Sequence, residues 1–216
     1  MTSAPPETDR RLRWFTLALG PVLLWSVIRP HDLFTWFLEV APVLIGVPLM
    51  WAVRRRFPLS TLLLALIWGH AVILIVGGHY TYARVPLGDW AMAWFDWPRN
   101  NYDKLAHFVQ GFVPAILARE ILLRTSPLRD RGDGRPSRWL GFLCGSVCLA
   151  FSAFYELLEW VVAEGTGTAA DDFLGTQGYA WDTQSDMGLA LAGALAALVL
   201  LARWHDWSLA ALRRAS

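Results

Sequence analysis

The sequence predicts an all-α, polytopic membrane protein with six transmembrane helices and both termini in the cytoplasm. Three observations predict it. First, 55% of the 216 residues are hydrophobic and only 17% are charged, where a soluble domain carries about 25% charged residues. Mean hydropathy is +0.36. Second, six segments are apolar and long enough to cross a bilayer, which takes about 20 helical residues. Third, the basic residues are strongly sided. The composition excludes a disordered chain, a nucleic-acid-binding tail and an ordinary soluble enzyme.

The spans run over 14–29, 34–53, 59–77, 104–123, 139–163 and 183–202. Span one is short and carries Pro21, a kink site. It lacks a small-residue cleavage site and leads directly into another span, so it reads as a span and not a signal peptide. Together they form one transmembrane domain over 1–216, with a cytoplasmic tail (1–13), an Arg-rich cytoplasmic loop (124–138) and a Gly/Asp-rich outer loop (164–182). Cys144 and Cys148 lie four apart inside span five, on one helix face, and read as small core residues.

Orientation follows from the basic residues, 18 Arg and the single Lys104. Arg10, Arg11 and Arg13 precede span one, and Arg54, Arg55 and Arg56 join spans two and three. Arg124, Arg129, Arg131, Arg135 and Arg138 join spans four and five, and Arg203, Arg213 and Arg214 follow span six. The opposite loops hold only Arg29, Arg84, Arg99 and Lys104. Positive charge marks the cytoplasmic side, which puts both termini in the cytoplasm. Arg119 lies near the inner end of span four and can snorkel to that surface. Trp14, Trp51, Trp139 and Trp204 mark inner span ends, and Trp36, Trp160 and Trp181 outer ones. Trp90, Trp94 and Trp97 predict a short interfacial helix within 85–98, on the outer membrane surface.

Twelve of the eighteen acidic residues then fall on the outer side or at outer span ends. Asp103 and His107 are i, i+4 at the start of span four. Glu156 and Glu159 are i, i+3 at the end of span five, and Asp182 and Asp186 are i, i+4 at the start of span six. At about 1.5 Å rise per residue, His107, Glu159 and Asp186 lie roughly 6 Å inside their helix ends and Glu156 roughly 10 Å. Ionisable groups are costly in lipid, so these should face one another inside the bundle.

Five carboxylates and one imidazole at one level repel unless protons or a cation join them. A divalent metal on Asp103, His107, Glu156, Glu159, Asp182 and Asp186 resolves this. The oxygen-rich donor set suits Mg, Mn or Ca, with Zn or Fe less well matched. Gln110, Gln184, Tyr102, Tyr155, Lys104 and His79 are expected to support the site, and His70 and His79 are further ligand candidates. Bland alternatives stand beside this reading. Asp103 and Asp182 occupy N-cap positions, His107 can be a hydrogen-bonded interior histidine, and Glu156 can pair with Lys104 or Arg99.

The motifs Tyr102-Asp103-Lys104-x-x-His107-Phe108-x-Gln110-Gly111, Tyr155-Glu156-x-x-Glu159-Trp160 and Gly175-Thr-Gln-Gly-x-x-Trp181-Asp182-x-Gln184-x-Asp186-Met187 resemble the YjdF-type inner membrane proteins of bacteria. The likeness runs from about residue 20 to 203. The Asp-Lys-x-x-His opening and the Asp-x-x-x-Asp start of the last span are also similar, more loosely, to VanZ-like proteins. The resemblance implies a six-span cytoplasmic-membrane protein and leaves the chemistry to the residues.

Three function classes fit. The first is a metal-dependent hydrolase or transferase acting at the outer leaflet on a lipid-linked or envelope substrate, with Glu156 and Asp186 as catalytic carboxylates. The second is a cation or proton transporter, the third a structural or accessory protein. The sequence lacks the H-E-x-x-H and G-x-S-x-G motifs. The bilayer is the expected environment, and no nucleic-acid partner is expected.

Overall fold

The computed structural model describes residues 6–129, 137–167, 171–174 and 176–214. All regular structure among them is helical: α1 (Pro6–Ser26), α2 (Leu33–Val53), α3 (Thr61–Tyr80), α4 (Pro86–Phe95), α5 (Tyr102–Thr125), α6 (Trp139–Thr166), α7 (Asp171–Leu174) and α8 (Asp182–Arg214). Short 3-10 turns occupy Tyr82–Arg84 and Pro127–Arg129. By length and composition, α2, α3, α5, α6 and α8 can each cross a membrane. Helix α1 corresponds to the first expected span but begins earlier, and its first two turns hold Glu7, Asp9, Arg10, Arg11 and Arg13.

Two packed groups share α3. In the first, Leu12, Phe15 and Leu19 of α1 meet Val40 and Val43 of α2 and Leu64, Ala71 and Ile75 of α3. Asp32 caps α2 by accepting from the Thr35 N–H at 2.6 Å, which lowers its carboxyl pKa below the ordinary value. In the second, Leu63 of α3 packs with Ala115 and Ile116 of α5, Cys148 of α6, and Ala194 and Ala197 of α8. Cys144 and Cys148 are free and buried, as expected of core residues.

Small residues decide how closely α5 and α8 approach. A Cβ on Gly111 would collide with the carbonyl of Ala190, and one on Gly193 with the carbonyl of Phe108. The two backbones therefore touch, as small-residue crossings in membranes allow.

Two elements differ from the sequence-based expectation. The last span was placed at 183–202, yet α8 continues to Arg214. The extension is amphipathic: His205, Leu209 and Leu212 are buried on one face, while Trp204 and Trp207 are exposed. The Ser208 hydroxyl accepts from the Leu62 N–H at the start of α3 at 3.1 Å, which ties the extension to the bundle. In the 85–98 segment, α4 stops at Phe95 and Asp96 takes a left-handed conformation (φ 54°). Trp90 and Trp94 share the helix and are exposed, but Trp97 lies beyond its end, stacked on Phe95.

Gly193→Val and Gly111→Val are expected to abolish recovery of monodisperse protein in detergent. Gly141→Ala and Gly188→Ala, where an added Cβ meets nothing within 4 Å, should elute like the parent on size-exclusion chromatography. Parent-like elution of Gly193→Val would refute a backbone-to-backbone crossing.

Candidate functional site

The α5–α8 contact brings the first turns of both helices together, and α6 closes the third side. Lys104 sits at the junction. Its ammonium donates to Asp182 Oδ1 at 2.8 Å, Asp186 Oδ1 at 2.6 Å and Ser185 Oγ at 2.7 Å, with Asp103 Oδ2 at 3.9 Å. Arg99 donates both terminal nitrogens to Asp182 Oδ1 at 3.1 Å. Asp182 is thus held by two cations, either of which the sequence offered as an alternative partner for Glu156.

His107, buried, is the centre of the cluster. Its Nε2 lies 3.3 Å from Asp103 Oδ1 and 4.0 Å from Asp186 Oδ2, and its Nδ1 lies 3.9 Å from Glu156 Oε1. Gln110 Oε1 sits 2.9 Å from Nδ1. With that oxygen accepting from Nδ1–H, Nε2 faces Asp103 and Asp186: protonated it donates to Asp103, and deprotonated it could serve as a ligand oriented by an outer partner. Two sets of side chains bring one donor atom each within 4.8 Å of one another: Asp103, His107 and Asp186; and His107, Glu156 and Glu159. Glu156 Oε1 is buried without a hydrogen-bond partner among the described residues.

The pocket in front of these groups, about 50 Å³, is lined by Asp103, His107, Gln110, Tyr155, Glu159 and, from α2, Glu39. Sequence reasoning placed Glu39 among the outer acids but not in the site. It is buried, within hydrogen-bonding reach of Tyr82 and Tyr155. Burial and the neighbouring Glu39 carboxylate raise the Tyr82 pKa well above the ordinary 10.0, so its hydroxyl remains a donor. The available signal was Glu39 itself, a lone ionisable residue inside an apolar span.

Other expected residues fall elsewhere. Asp182 belongs to neither donor set. His79 places Nδ1 2.9 Å from the Ser26 carbonyl and packs against Trp25 and Tyr80, near the end of α1. Tyr102 donates its hydroxyl to the Ile73 carbonyl at 3.0 Å, joining α5 to α3. Gln184 is exposed. Of the 164–182 loop, Gly175 and the side chains of Asp171 and Asp172 lie outside the described residues. Its described part is pinned to the 96–101 turn: Gln177 exchanges two hydrogen bonds with the Asn100 backbone at 2.8 and 3.2 Å, and Arg99 donates to the Thr176 carbonyl at 2.8 Å. Asn100 in turn donates to Val85 O and Asp89 Oδ1, at 3.0 and 2.8 Å. Phe173 of α7 is buried and lines the pocket.

A second buried polar group lies at the other end of α5. Glu120 accepts from the Ser60 N–H at 3.1 Å and from Arg124 at 2.8 Å, and His205 Nε2 lies 3.0 Å away. Arg119, a donor only, binds His205 Nδ1 at 2.8 Å and Asp206 at 2.7 Å. His205 is therefore the Nε2–H tautomer, donating to Glu120. His205 escaped the sequence reading because the span was ended before it.

The chain also has relatives. The family described as "Predicted membrane protein (DUF2238)" matches residues 11–207. The chain is 52% identical over 189 residues to "Inner membrane protein YjdF" of Escherichia coli (strain K12), covering 88% of each chain. No solved structure matches. The chain belongs to the DUF2238 membrane protein family.

Removing one partner of a buried ion pair costs about 3 kcal/mol or more. Lys104→Met should therefore lower the thermal unfolding temperature sharply, and adding Asp186→Asn to it should recover part of the loss. Strictly additive losses in this cycle would show that Lys104 and Asp186 do not interact.

Proposed function

We propose that this DUF2238 family member is a metal-dependent membrane hydrolase or transferase acting on a lipid-linked or cell-envelope substrate. The observation that carries the reading is the convergence on His107 of donor atoms from three membrane-spanning helices, all within 4.8 Å of one another in each set. Asp103, His107 and Asp186 would hold the ion, with Gln110 orienting the imidazole. Glu156 and Glu159 would stand beside the ion as carboxylates, because with Nδ1–H given to Gln110 the histidine has only Nε2 to offer. Asp182 serves the site through Lys104 and Arg99. Because all donors but one are oxygens, Mg, Mn or Ca is the expected ion, ahead of Zn or Fe.

In this reading the protein has six spans, α1 being the sixth, with both termini in the cytoplasm and the site opening outward. The printed name of its relative, an inner membrane protein, supports the cytoplasmic membrane as its location. Exposed Trp90 and Trp94 would seat α4 on the outer surface.

A bound ion would polarise a phosphoryl or ester oxygen and acidify water. Glu156, with its unpartnered buried oxygen, would take the proton of the attacking water as the new oxygen bond forms, and return it to the departing oxygen. Asp186, braced by Lys104, keeps its second oxygen toward His107. Tyr82 and Glu39 shape the far wall.

One observation favours a scaffold instead: Lys104 already balances Asp182 and Asp186 with one short hydrogen bond to each. A transporter is disfavoured, because His107 and Glu120 are separated along α5 by about 20 Å at about 1.5 Å per residue, with no ionisable residue between Gly111 and Ala118.

Purified protein should gain stability with Mn2+ or Mg2+ and lose it with EDTA, by about 2.7 kcal/mol at a hundredfold excess of ion over Kd. Asp186→Asn and Asp103→Asn should abolish the gain. Glu156→Gln should retain binding but lose phosphatase or esterase turnover. Metal-independent stability with more stable acid-to-amide variants would instead establish the scaffold.

A further inference from the structure

The pocket at His107 does not end at its polar wall. Pro42, His70, Leu74 and Phe151 line it and also line a second, much larger cavity of about 560 Å³. This second cavity is a groove between α2 and α5, with α3 as its floor. Val43, Gly46 and Val47 form one wall and Val113, Leu117 and Ile121 the other. From Pro42 to Val53 it runs about 16 Å at about 1.5 Å per residue, close to half of the roughly 30 Å hydrocarbon core. Leu49 and Ile121 at its mouth are exposed, so it opens sideways, toward lipid.

Between the two cavities stands His70. It lies ten residues from the site end of α3, about 15 Å down at about 1.5 Å per residue, near the middle of the membrane. Its Nε2 is shut off from solvent and has no hydrogen-bond partner among the described residues. An unsatisfied ring nitrogen at that depth is costly. The two adjoining cavities thus present a carboxylate-and-imidazole pocket, a single polar atom between them and an apolar trough.

We propose that these adjoining cavities are the seat of one long-chain lipid phosphate. Its polar part occupies the pocket from Asp103 to His70, and its tail crosses the membrane midplane into the α2–α5 groove. An amphiphile matches the polar-to-apolar change from one cavity to the other. Placing the phosphate rests on the metal-site reading above, whereas the tail seat does not.

Gly46 makes the seat testable, because a Cβ there meets nothing within 4 Å. Gly46→Trp fills the groove without striking the fold, and Leu117→Trp fills it from the other wall. The probe is a polyprenyl monophosphate with a diazirine on the first isoprene units of its tail, added to full-length protein in phosphatidylethanolamine–phosphatidylglycerol vesicles, with adducts mapped by mass spectrometry. Adducts should concentrate on Val47, Leu117 and Ile121, several-fold above Val199 and Leu200 of α8, which are 81% and 67% exposed. Either tryptophan variant should lose them while keeping its stabilisation by Mn2+.

Equal labelling of the groove and the α8 face in the parent protein would overturn the proposal, as would labelling unchanged by both variants. Cross-links between copies through the groove would also overturn it, assigning the face to self-association. The corresponding polyprenol, which lacks phosphate, separates the two readings. Groove labelling by the alcohol without any Mn2+ stabilisation keeps the tail seat and rejects the metal site. Mn2+ stabilisation without groove labelling does the reverse.

Discussion

The contact between α5 and α8 sets the position of nearly every buried charge in this protein. Gly111 and Gly193 remove the side chains that would hold the two backbones apart. With the helices touching at mid-length, their ends are brought into register. At one end Asp103, Lys104 and His107 meet Asp182 and Asp186. At the other, Arg119 and Glu120 meet His205 and Asp206. A larger residue at either glycine would spread both clusters at once, leaving charges without partners where solvation is poor.

Because the clusters lie at membrane depth, each must be nearly complete. The charged groups of the far cluster are all partnered, with only the Ser60 hydroxyl left over among the described residues: Glu120 accepts three hydrogen bonds, and Arg119 and His205 are each partnered on both sides. That is the behaviour of a structural network, which specifies one arrangement of α3, α5 and α8. The cluster around His107 is open by comparison. Glu156 Oε1 has no partner among the described residues, three carboxylates besides Asp186 share the imidazole's surroundings, and a pocket separates them from Glu39. The asymmetry between a closed network and an open one is the physical reason for assigning chemistry to one end of the bundle and not to the other.

How much of this could be read from the residues differs by element. The apolar segments needed only length and hydropathy, because a membrane-crossing helix satisfies its own backbone and announces itself locally. The pairing of Asp103 with His107 followed from helical spacing. Glu39 was overlooked because its partners, Tyr82 and Tyr155, come from other elements and share no spacing with it. His205 was overlooked because hydropathy ends the last span where polar residues begin, although Leu209 and Leu212 continue the buried face beyond it. Gln184 was credited by nearness in sequence to Asp182 and Asp186, and helix rotation turns it away; His79 was credited for lying at the outer end of its span, and it packs against the end of α1 instead.

The sequence by itself determined that this is a helical membrane protein, which segments are apolar enough to cross, and that acidic and imidazole groups gather at one end of three helices. These properties are local, set by composition and by the 3.6-residue turn. Only the tertiary structure decided which of those groups face one another: that Lys104 and Arg99 take Asp182, that His107 gathers Asp103, Asp186 and Glu156, and that Glu39 arrives from α2. It also decided that an apolar groove lies on the other side of His70, which lines both cavities. Such matters depend on helix rotation and crossing distance, which the glycines of α5 and α8 control through close packing and which no single helix specifies alone.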